Sequence, residues 1–258
     1  MITAGIDIGS ITAKAAVIEN GKLLAVHTLP TGYNARQAGE DVFEAIVSAI
    51  GMNPTRIDAI VATGYGRNSV TFAQKAVTEI TCHAAGVHFL DPSARTIIDI
   101  GGQDSKAILL DDRGRVKDFA MNDKCAAGTG RFLEVMARAL HAEIEEFGGI
   151  SLQAQAPAAI SSLCTVFAES EVISLISKGE TRENIIAGIH ESVAGRIGAM
   201  LNRMKWSPPV MMTGGVARNI GIVKALEAKL GTPILVNDHA QVTGAIGAAL
   251  IASNGGKP

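Results

Sequence analysis

The sequence predicts an α/β protein of two lobes, each built on a mixed β-sheet flanked by helices. Three observations support this fold class. First, the segment Ile6-Asp7-Ile8-Gly9-Ser10-Ile11-Thr12-Ala13-Lys14 returns, without a gap, as Ile98-Asp99-Ile100-Gly101-Gly102-Gln103-Asp104-Ser105-Lys106. Second, each copy is followed by a third strand pattern and then by alternating helices and strands. Third, the chain has 258 residues, 47% of them hydrophobic, which suffices for one large or two modest cores.

The first half begins with three predicted strands, at residues 2–8, 12–19 and 22–29. Apolar residues with helical spacing over 35–50 predict a crossover helix that ends at Gly51. A buried strand at 57–62 follows, and a loop, Thr63-Gly64-Tyr65-Gly66-Arg67, leads into further helix that reaches Leu90. A strand, a helix and a second strand in this order indicate a parallel strand pair.

The second half repeats the three strands from Thr96 and ends them near Phe119. The later elements are predicted to be helices at 130–140, 167–178 and 182–205, a strand at 210–213, a helix at 220–230, a strand at 234–236 and a helix at 242–252. We expect the first lobe to comprise 1–92 with the C-terminal helix 242–253, and the second to comprise 93–241. Two lobes hinged over a cleft are the usual setting for a ligand.

Composition and charge exclude several classes of protein. The net charge is −2 and there is no basic run, which argues against nucleic acid as the main partner. No segment is apolar enough to span a membrane, and the N-terminus enters a strand at once without a signal region. A cytoplasmic location is therefore expected. Three cysteines are too few for a disulfide scaffold.

The duplicated segments predict two phosphate-binding hairpins. Glycine turns let backbone N–H groups approach an anion, and an aspartate at the strand end, Asp7 or Asp99, can hold a hydrated Mg²⁺ or orient water. The expected phosphate contacts are Gly9, Ser10, Thr12, Gly101 and Gly102. Gln103 and Asp104 are candidates for positioning the attacking water or the water shell of the metal. Lys14 and Lys106 either contact phosphates or are solvated lysines at strand ends.

The hairpins, together with Thr213-Gly214-Gly215-Val216-Ala217-Arg218-Asn219, resemble the nucleotide-binding superfamily of acetate kinase, sugar kinases, Hsp70 and actin. The resemblance implies duplicated ribonuclease H-like domains in which the hairpins clasp the phosphates of ATP. It also implies that the turn before the next helix supports adenosine, through Gly214, Gly215, Val216 and Asn219. Taken alone, Gly214-Gly215 would be an ordinary turn between a strand and a helix.

Two cysteines, Cys125 and Cys164, lie shortly before predicted helices. A helix N-terminus lowers the pKa of a thiol and favours an anionic ligand or a metal centre, although a buried cysteine is often only a small hydrophobe. A [4Fe–4S] cluster needs about four thiolates and zinc needs a similar number of ligands, so two chains would have to share such a site. Zinc remains the rival, although no histidine is close in sequence. Cys82, in a predicted helix at 79–90, is expected to be a core or incidental residue.

The full set of motifs resembles the ATP-dependent activator of 2-hydroxyacyl-CoA dehydratases, within the BadF/BadG/BcrA/BcrD type of ATPase that includes subunits of benzoyl-CoA reductase. The motifs are residues 5–10, 63–67, 99–106, 122–134, 164–171, 213–219 and 241–249. The resemblance implies a homodimer with one [4Fe–4S] cluster held by Cys125 and Cys164 of both chains. It further implies delivery of a low-potential electron to an iron–sulfur dehydratase or reductase, with ferredoxin or flavodoxin as the donor.

Other functions remain open on sequence grounds. An ATPase subunit of a benzoyl-CoA reductase-like or other reductive system has the same motifs. A small-molecule kinase would need a segment for its acceptor, and none of convincing length is present. An assembly ATPase that signals by lobe closure alone is the third class. The sequence does not identify the partner enzyme or the role of the loop at 63–67.

Overall fold

The computed structural model describes residues 1–161 and 164–256. The chain divides into two compact units. Unit 1 comprises Met1–Arg95, Ile108–Lys117 and the C-terminal residues from Asn237 onwards. Unit 2 comprises Thr96–Ala107 and Asp118–Val236. Each unit combines strands and helices.

The strands are β1 (Ile2–Ile8), β2 (Thr12–Glu19), β3 (Lys22–Pro30), β4 (Ala59–Thr63), β5 (Lys75–Ala76), β6 (Thr96–Ile100), β7 (Ser105–Leu110), β8 (Val116–Asn122), β9 (Val210–Thr213) and β10 (Ile234–Val236). The α-helices are α1 (Ala35–Ala49), α2 (Glu79–Leu90), α3 (Gly130–Ala139), α4 (Phe147–Ser151), α5 (Thr165–Ser177), α6 (Arg182–Leu201), α7 (Ile220–Leu230) and α8 (Thr243–Ser253). Short 3-10 helices lie at Pro54–Arg56, Arg67–Ser69, Gly215–Arg218 and Ala240–Val242.

The first sheet has the strand order β3-β2-β1-β4-β5. Strand β1 pairs antiparallel with β2 and parallel with β4, as the sequence pattern predicts. All of β1 is buried, because α1 packs on one face of the sheet and α8 on the other. Residues such as Ile6 and Val42 form the core beneath α1, and Ile18 and Ile246 form the core beneath α8. A strand covered on both faces reads as a continuous apolar run.

The C-terminal helix is tied to the first strand. Thr3 Oγ1 donates a hydrogen bond to the carbonyl of Ala249 at 2.8 Å. A Cβ at Gly5 would collide with the carbonyl of Ala245, so the strand and α8 are in close backbone contact. Helix α8 also packs against α2. The C-terminal helix therefore completes the core of unit 1.

The second sheet repeats the plan of the first. Its order is β10-β9-β6-β7-β8, in which β6 pairs parallel with β9 and β9 pairs parallel with β10. Strands β6 to β10 thus take the places that β1 to β5 take in the first sheet. Strands β6 and β7 are buried throughout. The duplication seen in the hairpins therefore extends to the whole sheet.

Several element boundaries differ from the sequence prediction. Strand β4 begins two residues later than predicted, because Asn53 starts a 3-10 helix at Pro54–Arg56. Helix α5 begins at Thr165, two residues earlier than predicted. Helix α6 ends at Leu201, short of the predicted residue 205. Strand β5 and helix α4 were not predicted, since two and five residues are too few to show a periodic pattern.

Across the stretches 1–161 and 164–256, none of the helices has both the length and the apolar character that a membrane span requires.

Candidate functional site

The first hairpin places a carboxylate beside an ammonium group at the end of β1. Asp7 lies opposite Lys14 on β2 and beside Thr63 on β4. Lys14 Nζ is 3.1 Å from Asp7 Oδ2, and their side chains are 13% and 7% exposed. The turn between the strands is closed by the N–H of Gly9, which donates to the carbonyl of Thr12 at 3.0 Å. Ser10, at the tip of this turn, is half-buried.

The second hairpin has the same arrangement with one more carboxylate. Lys106 Nζ lies 3.3 Å from Asp99 Oδ2 and 2.7 Å from Asp104 Oδ2, and its side chain is 2% exposed. Asp99 Oδ1 accepts a hydrogen bond from Thr213 Oγ1 at 2.9 Å. The N–H of Gly101 donates to the carbonyl of Asp104 at 2.9 Å and closes the turn. Gln103, at the tip, is exposed.

The two lysines are therefore not solvated residues at strand ends, one of the two interpretations that the sequence left open. Each ammonium is largely withdrawn from water and neutralises the aspartate that precedes it by seven residues. A carboxylate can be buried at acceptable cost only when a counter-charge or hydrogen bonds compensate it. Lys14 and Lys106 thus pair with the strand-end carboxylates and hold them in place.

The structure reveals a second repeated element that the sequence interpretation missed. Thr63 ends β4 in unit 1 and is followed by Gly64, and Thr213 ends β9 in unit 2 and is followed by Gly214. Gly64 and Gly214 have φ angles of 90° and 87°, and a Cβ at either position would collide with the carbonyl of Ile8 or Ile100, respectively. Only glycine fits a backbone that is both left-handed and so close to the glycine turn of the hairpin. The sequence signal for this element was the Thr-Gly dipeptide, which recurs at the end of the strand that pairs parallel with the first strand of each hairpin.

The loop at residues 63–67, whose role the sequence did not disclose, therefore supports the glycine turn of the first hairpin. The N–H of Gly66 donates to the carbonyl of Ile8 at 2.9 Å. Arg67 Nη1 donates to the carbonyl of Gly64 at 3.1 Å and fixes the loop itself. The phenol ring of Tyr65 is exposed.

The segment predicted to support adenosine lies between β9 and α7 in unit 2. Gly215 is exposed, and Val216 is buried in the 3-10 helix Gly215–Arg218. Asn219 Oδ1 accepts the N–H of Ile222 at 3.1 Å and caps α7. Its Nδ2 lies 3.3 Å from His190 Nε2. The side chain of Asn219 is thus engaged at both ends and orients α7.

His190 is a buried residue that the sequence interpretation did not single out. Its ring packs edge-on against Phe147, with ring centroids 5.5 Å apart. Burial lowers the pKa of His190 to about 3. The imidazole is therefore neutral at physiological pH, and Nε2 can accept a hydrogen bond from the Asn219 amide. No sequence pattern distinguishes this histidine from an ordinary core residue.

Cys125 lies in a compact segment that leads from β8 to α3. Asn122 Nδ2 donates to the carbonyl of Cys125 at 2.9 Å. Both the N–H and the hydroxyl of Thr129 donate to the carbonyl of Ala126, at 3.0 and 2.6 Å. Cys125 itself is half-buried. The segment is thus held by hydrogen bonds on either side of the cysteine.

Cys164 occupies the N-cap position of α5 and is exposed. The chain shortly before it is anchored to the same helix, because Ser161 donates to the carboxylate of Glu171 through its N–H at 3.1 Å and its hydroxyl at 2.9 Å. Helices α3 and α5 pack against each other. The two cysteines therefore precede neighbouring helices of the same unit.

Cys82 has a different environment. It is fully buried on α2, in a cluster with Val61 and Ile251. Burial raises the pKa of the Cys82 thiol to about 12, so the thiol stays protonated. The prediction that Cys82 is a core residue is confirmed.

The helix that follows Cys164 exposes apolar side chains. Val166, Phe167 and Ile173 of α5 are each more than half exposed. Positions 166, 170, 173 and 177 fall on one stripe of a helix, and all four are exposed. Strand β8, which leads to Cys125, exposes Phe119 and Met121. Apolar surface that borders two accessible cysteines is typical of a protein interface.

In the part of the chain that the structure describes, no group of three or more histidine, cysteine, aspartate or glutamate side chains could hold a metal ion. Cys125 and Cys164 offer two thiols at neighbouring helix starts, half the number that a cubane cluster requires. This donor set fits a cluster shared by two chains and does not fit a four-ligand site within one chain.

The two hairpins, each with its strand-end aspartate, glycine turn and Thr-Gly support, define the fold of actin-like ATPases and sugar kinases. A glucokinase of the ROK family from Streptomyces griseus shares this fold at 13% identity, with a TM-score of 0.57 over 98% of this chain and 100% of that one. The chain belongs to the BadF/BadG/BcrA/BcrD ATPase family, whose profile matches residues 4–252.

Relatives within the family are similar over nearly the whole chain. The "Activator of lactoyl-CoA dehydratase" of Anaerotignum propionicum is 50% identical over 98% of this chain and 97% of its own length. A solved structure, the activator of the 2-hydroxyisocaproyl-CoA dehydratase from Clostridium difficile with bound ADPNP, is 47% identical and has a TM-score of 0.94. That match covers 99% of this chain and 96% of the other.

Proposed function

We propose that this protein is an ATP-hydrolysing iron–sulfur activator that transfers a low-potential electron to a partner dehydratase of the 2-hydroxyacyl-CoA type. Membership of the ATPase family and 50% identity to a lactoyl-CoA dehydratase activator support an ATP-dependent activator role. The single observation that carries the electron-transfer part is the pair of accessible cysteines before two packed helices, in the unit that also contains the second phosphate hairpin.

On the nucleotide side, the two hairpins bind the phosphates of ATP with its Mg²⁺. Asp7, Asp99 and Asp104 hold water ligands of the metal, and exposed Gln103 orients the attacking water. Asp99 suits such a task, because Lys106 and Thr213 hydrogen-bond both of its oxygens and fix the carboxylate. Preorganised charges of this kind stabilise a transferring phosphoryl group without reorganisation during the reaction.

On the electron side, Cys125 and Cys164 of two chains would hold one [4Fe–4S] cluster shared by a homodimer. The bound cluster would store a single electron and release it at low potential. The partner that binds the exposed face of α5 is a second copy of the same chain. That face begins next to Cys164, and only a second chain supplies the two missing thiolates.

The remaining parts of the proposal concern partners and location. The electron acceptor is an iron–sulfur dehydratase, and a ferredoxin or flavodoxin supplies the electron. The protein works in the cytoplasm. If the acceptor is instead a benzoyl-CoA reductase or another reductase, the chemistry of this chain is the same and only the partner differs.

The cofactor is tested by anaerobic purification followed by iron and sulfide analysis and electron paramagnetic resonance. A cluster shared by two chains predicts about two iron and two sulfide ions per chain. Cys125→Ala and Cys164→Ala should each remove the brown colour and the signal of the reduced protein. Cys82→Ala is the matched control and should retain both, because Cys82 lies in the core. Tight zinc without iron in the anaerobic protein would refute the proposal.

Electron delivery is tested with a purified 2-hydroxyacyl-CoA dehydratase, the reduced activator and ATP. The dehydratase should be reduced only when ATP is hydrolysed, as followed by the change in its paramagnetic signal. Asp104→Asn should lower the ATPase rate and the rate of electron delivery together. Transfer of phosphate from ATP to a small-molecule acceptor, with no requirement for iron, would instead identify a kinase.

A further inference from the structure

We infer that the first two peptide N–H groups of α3, those of Gly130 and Arg131, couple the second phosphate hairpin to the segment that contains Cys125. Gly130 and Arg131 are thus positioning residues, which act on the cysteine through the backbone. The inference rests on the proposed function in one respect, because it assumes that nucleotide binds at this hairpin.

The coupling consists of two direct backbone hydrogen bonds. The N–H of Gly130 donates to the carbonyl of Gly101 at 2.9 Å, and the N–H of Arg131 donates to the carbonyl of Gly102 at 2.8 Å. Gly101 and Gly102 form the turn of the second hairpin. Both bonds lie within unit 2. Helix α3 therefore starts directly on the turn that is expected to meet the phosphates.

These bonds replace the usual cap of the helix. The first N–H groups of an α-helix have no partner within the helix and are commonly satisfied by the side chain of the N-cap residue. Thr129 is the N-cap of α3, but its side chain makes no capping hydrogen bond and donates to Ala126 instead. The carbonyls of Gly101 and Gly102 take over the capping. When the turn moves, α3 must follow it or lose these partners.

Residue 130 also contacts the segment predicted to support adenosine. A Cβ placed on Gly130 would lie 3.2 Å from the carbonyl oxygen of Gly101 and 3.5 Å from Cγ2 of Val216. The start of α3 is thus in contact with two of the segments that are expected to bind ATP.

The connection from residue 130 to Cys125 is short and internally bonded. The N–H and hydroxyl of Thr129 fix the carbonyl of Ala126, and Asn122 fixes the carbonyl of Cys125. A displacement at residue 130 therefore reaches Cys125 through a compact segment. Helix α3 further packs on α5, which Cys164 precedes.

The test measures the reactivity of Cys125 in the full-length chain, prepared without oxygen and stripped of metal with a chelator. Alkylation by N-ethylmaleimide is followed by mass spectrometry of peptides, which separates Cys125 from Cys164 and from buried Cys82. Rates are compared without nucleotide and with ADPNP and Mg²⁺, and ADPNP binding is measured on the same samples. We expect ADPNP to change the Cys125 rate by at least about five-fold, the lower end for coupling between two sites.

Two substitutions at position 130 separate the effect of losing the hydrogen bond from the effect of adding side-chain atoms. Gly130→Pro removes the N–H that Gly101 accepts. Proline is favoured at the first position of a helix, and Thr129, with φ −129° and ψ 172°, has the extended backbone that a residue before proline needs. Gly130→Ala is the matched control, because it adds a Cβ and keeps the N–H.

We expect Gly130→Ala to retain the response of Cys125 to ADPNP, and Gly130→Pro to lose most of it while still binding ADPNP. An undiminished response in the proline variant overturns the inference. So does wild-type protein that binds ADPNP without any change at Cys125. Failure of wild-type protein to bind ADPNP at all would instead count against the proposed function.

Hydrogen exchange provides a measurement that needs no variant. ADPNP should change the protection of the amides of residues 130 and 131 in the wild-type chain. If Cys125 responds to ADPNP while these two amides exchange at unchanged rates, the coupling runs through other contacts and the inference is wrong.

Discussion

Lys14 and Lys106 occupy equivalent positions in the two hairpins, but their surroundings differ by one carboxylate. The position of Thr12 in the first copy is taken by Asp104 in the second, and Lys106 bridges Asp99 and Asp104. Each copy of the duplicated motif contains an aspartate and a lysine seven residues apart, but the sequence interpretation did not predict that these two side chains pair. The bridging role of Lys106 depends on the folded turn and could not be read from spacing alone.

The difference predicts unequal costs of removing the two lysines. Lys106→Met should lower the free energy of unfolding by about 3–5 kcal/mol, since it leaves buried carboxylates without their counter-charge. Lys14→Met should cost less, because Lys14 is 13% exposed and, among the residues that the structure describes, pairs only with Asp7. Urea titrations of both variants at pH 7 measure the two losses. Equal losses of unfolding free energy in the two variants would show that the ion pair with Asp104 does not increase the contribution of Lys106 to stability.

His190 predicts a pH dependence of stability. Its pKa is about 3 in the folded chain, below the value of 6.5 for an unperturbed histidine. Between these values only the unfolded chain takes up the proton, so stability falls as the pH falls from about 6.5 towards 3. The loss between pH 7.5 and 5.5 should be about 1.4 kcal/mol from this residue.

The variant His190→Gln isolates that contribution. Glutamine does not titrate and retains an acceptor for the Asn219 amide. Urea titrations at pH 7.5 and 5.5 should therefore show a smaller loss of stability in the variant than in the wild-type chain. The same loss in both proteins would mean that other groups cause the pH dependence.

At the scale of elements, the pattern of apolar residues predicted most helices and strands, including the exact bounds of β1, β2, α2, α7 and β9. These elements are long or strongly periodic, or are delimited by glycine and capping residues. Thr78 and Asn219, for example, cap α2 and α7 through their side chains. Strand β5 and helix α4 depend on tertiary contacts, and nothing in their short sequences distinguishes them from loops.

The crossing of α2 and α8 depends on small residues. A glycine-to-alanine substitution is therefore expected to change stability in opposite directions in α8 and in α6. A Cβ on Gly247 of α8 would collide with the carbonyl of Cys82 on α2, whereas a Cβ on Gly195 of α6 would meet nothing within 4 Å. Gly247→Ala should therefore destabilise the protein by at least about 2 kcal/mol. Gly195→Ala should stabilise it by about 0.5–1 kcal/mol.

Thermal and urea unfolding of the two alanine variants and the wild-type chain measure the sign and size of each change in stability. The pair controls for the intrinsic helix preference of alanine over glycine, which is the same at both sites. If Gly247→Ala were as stable as wild type, the close approach of α2 and α8 would not be needed for stability.

At the scale of the molecule, the exposed face of α5 predicts the behaviour of the assembly. Ile173 is more than half exposed in the single chain and lies on the face proposed to meet a second copy. Ile173→Glu should weaken the dimer by about 2 kcal/mol, roughly 30-fold in its dissociation constant, since it would place a charge in the proposed contact where an apolar side chain now lies. Sedimentation under anaerobic conditions measures the change.

The matched control for this prediction is Ile220→Glu. Ile220 is also exposed, but it begins α7, where a negative charge is favourable, and it lies outside the α5 face. This variant should remain dimeric. Dissociation of both variants, or of neither, would contradict the assignment of the α5 face as the dimer contact.

The sequence by itself determined the two-sheet α/β fold, the paired hairpins and the two cysteines that precede helices, because repetition, periodicity and helix-start signals are local properties of a chain. Only the tertiary structure decided how these parts connect. The Thr-Gly supports, the contact of His190 with Asn219 and the capping of α3 by the turn of the second hairpin all join residues far apart in sequence. Such contacts form only when distant elements pack together, and the spacing of residues along one strand or helix carries no record of them.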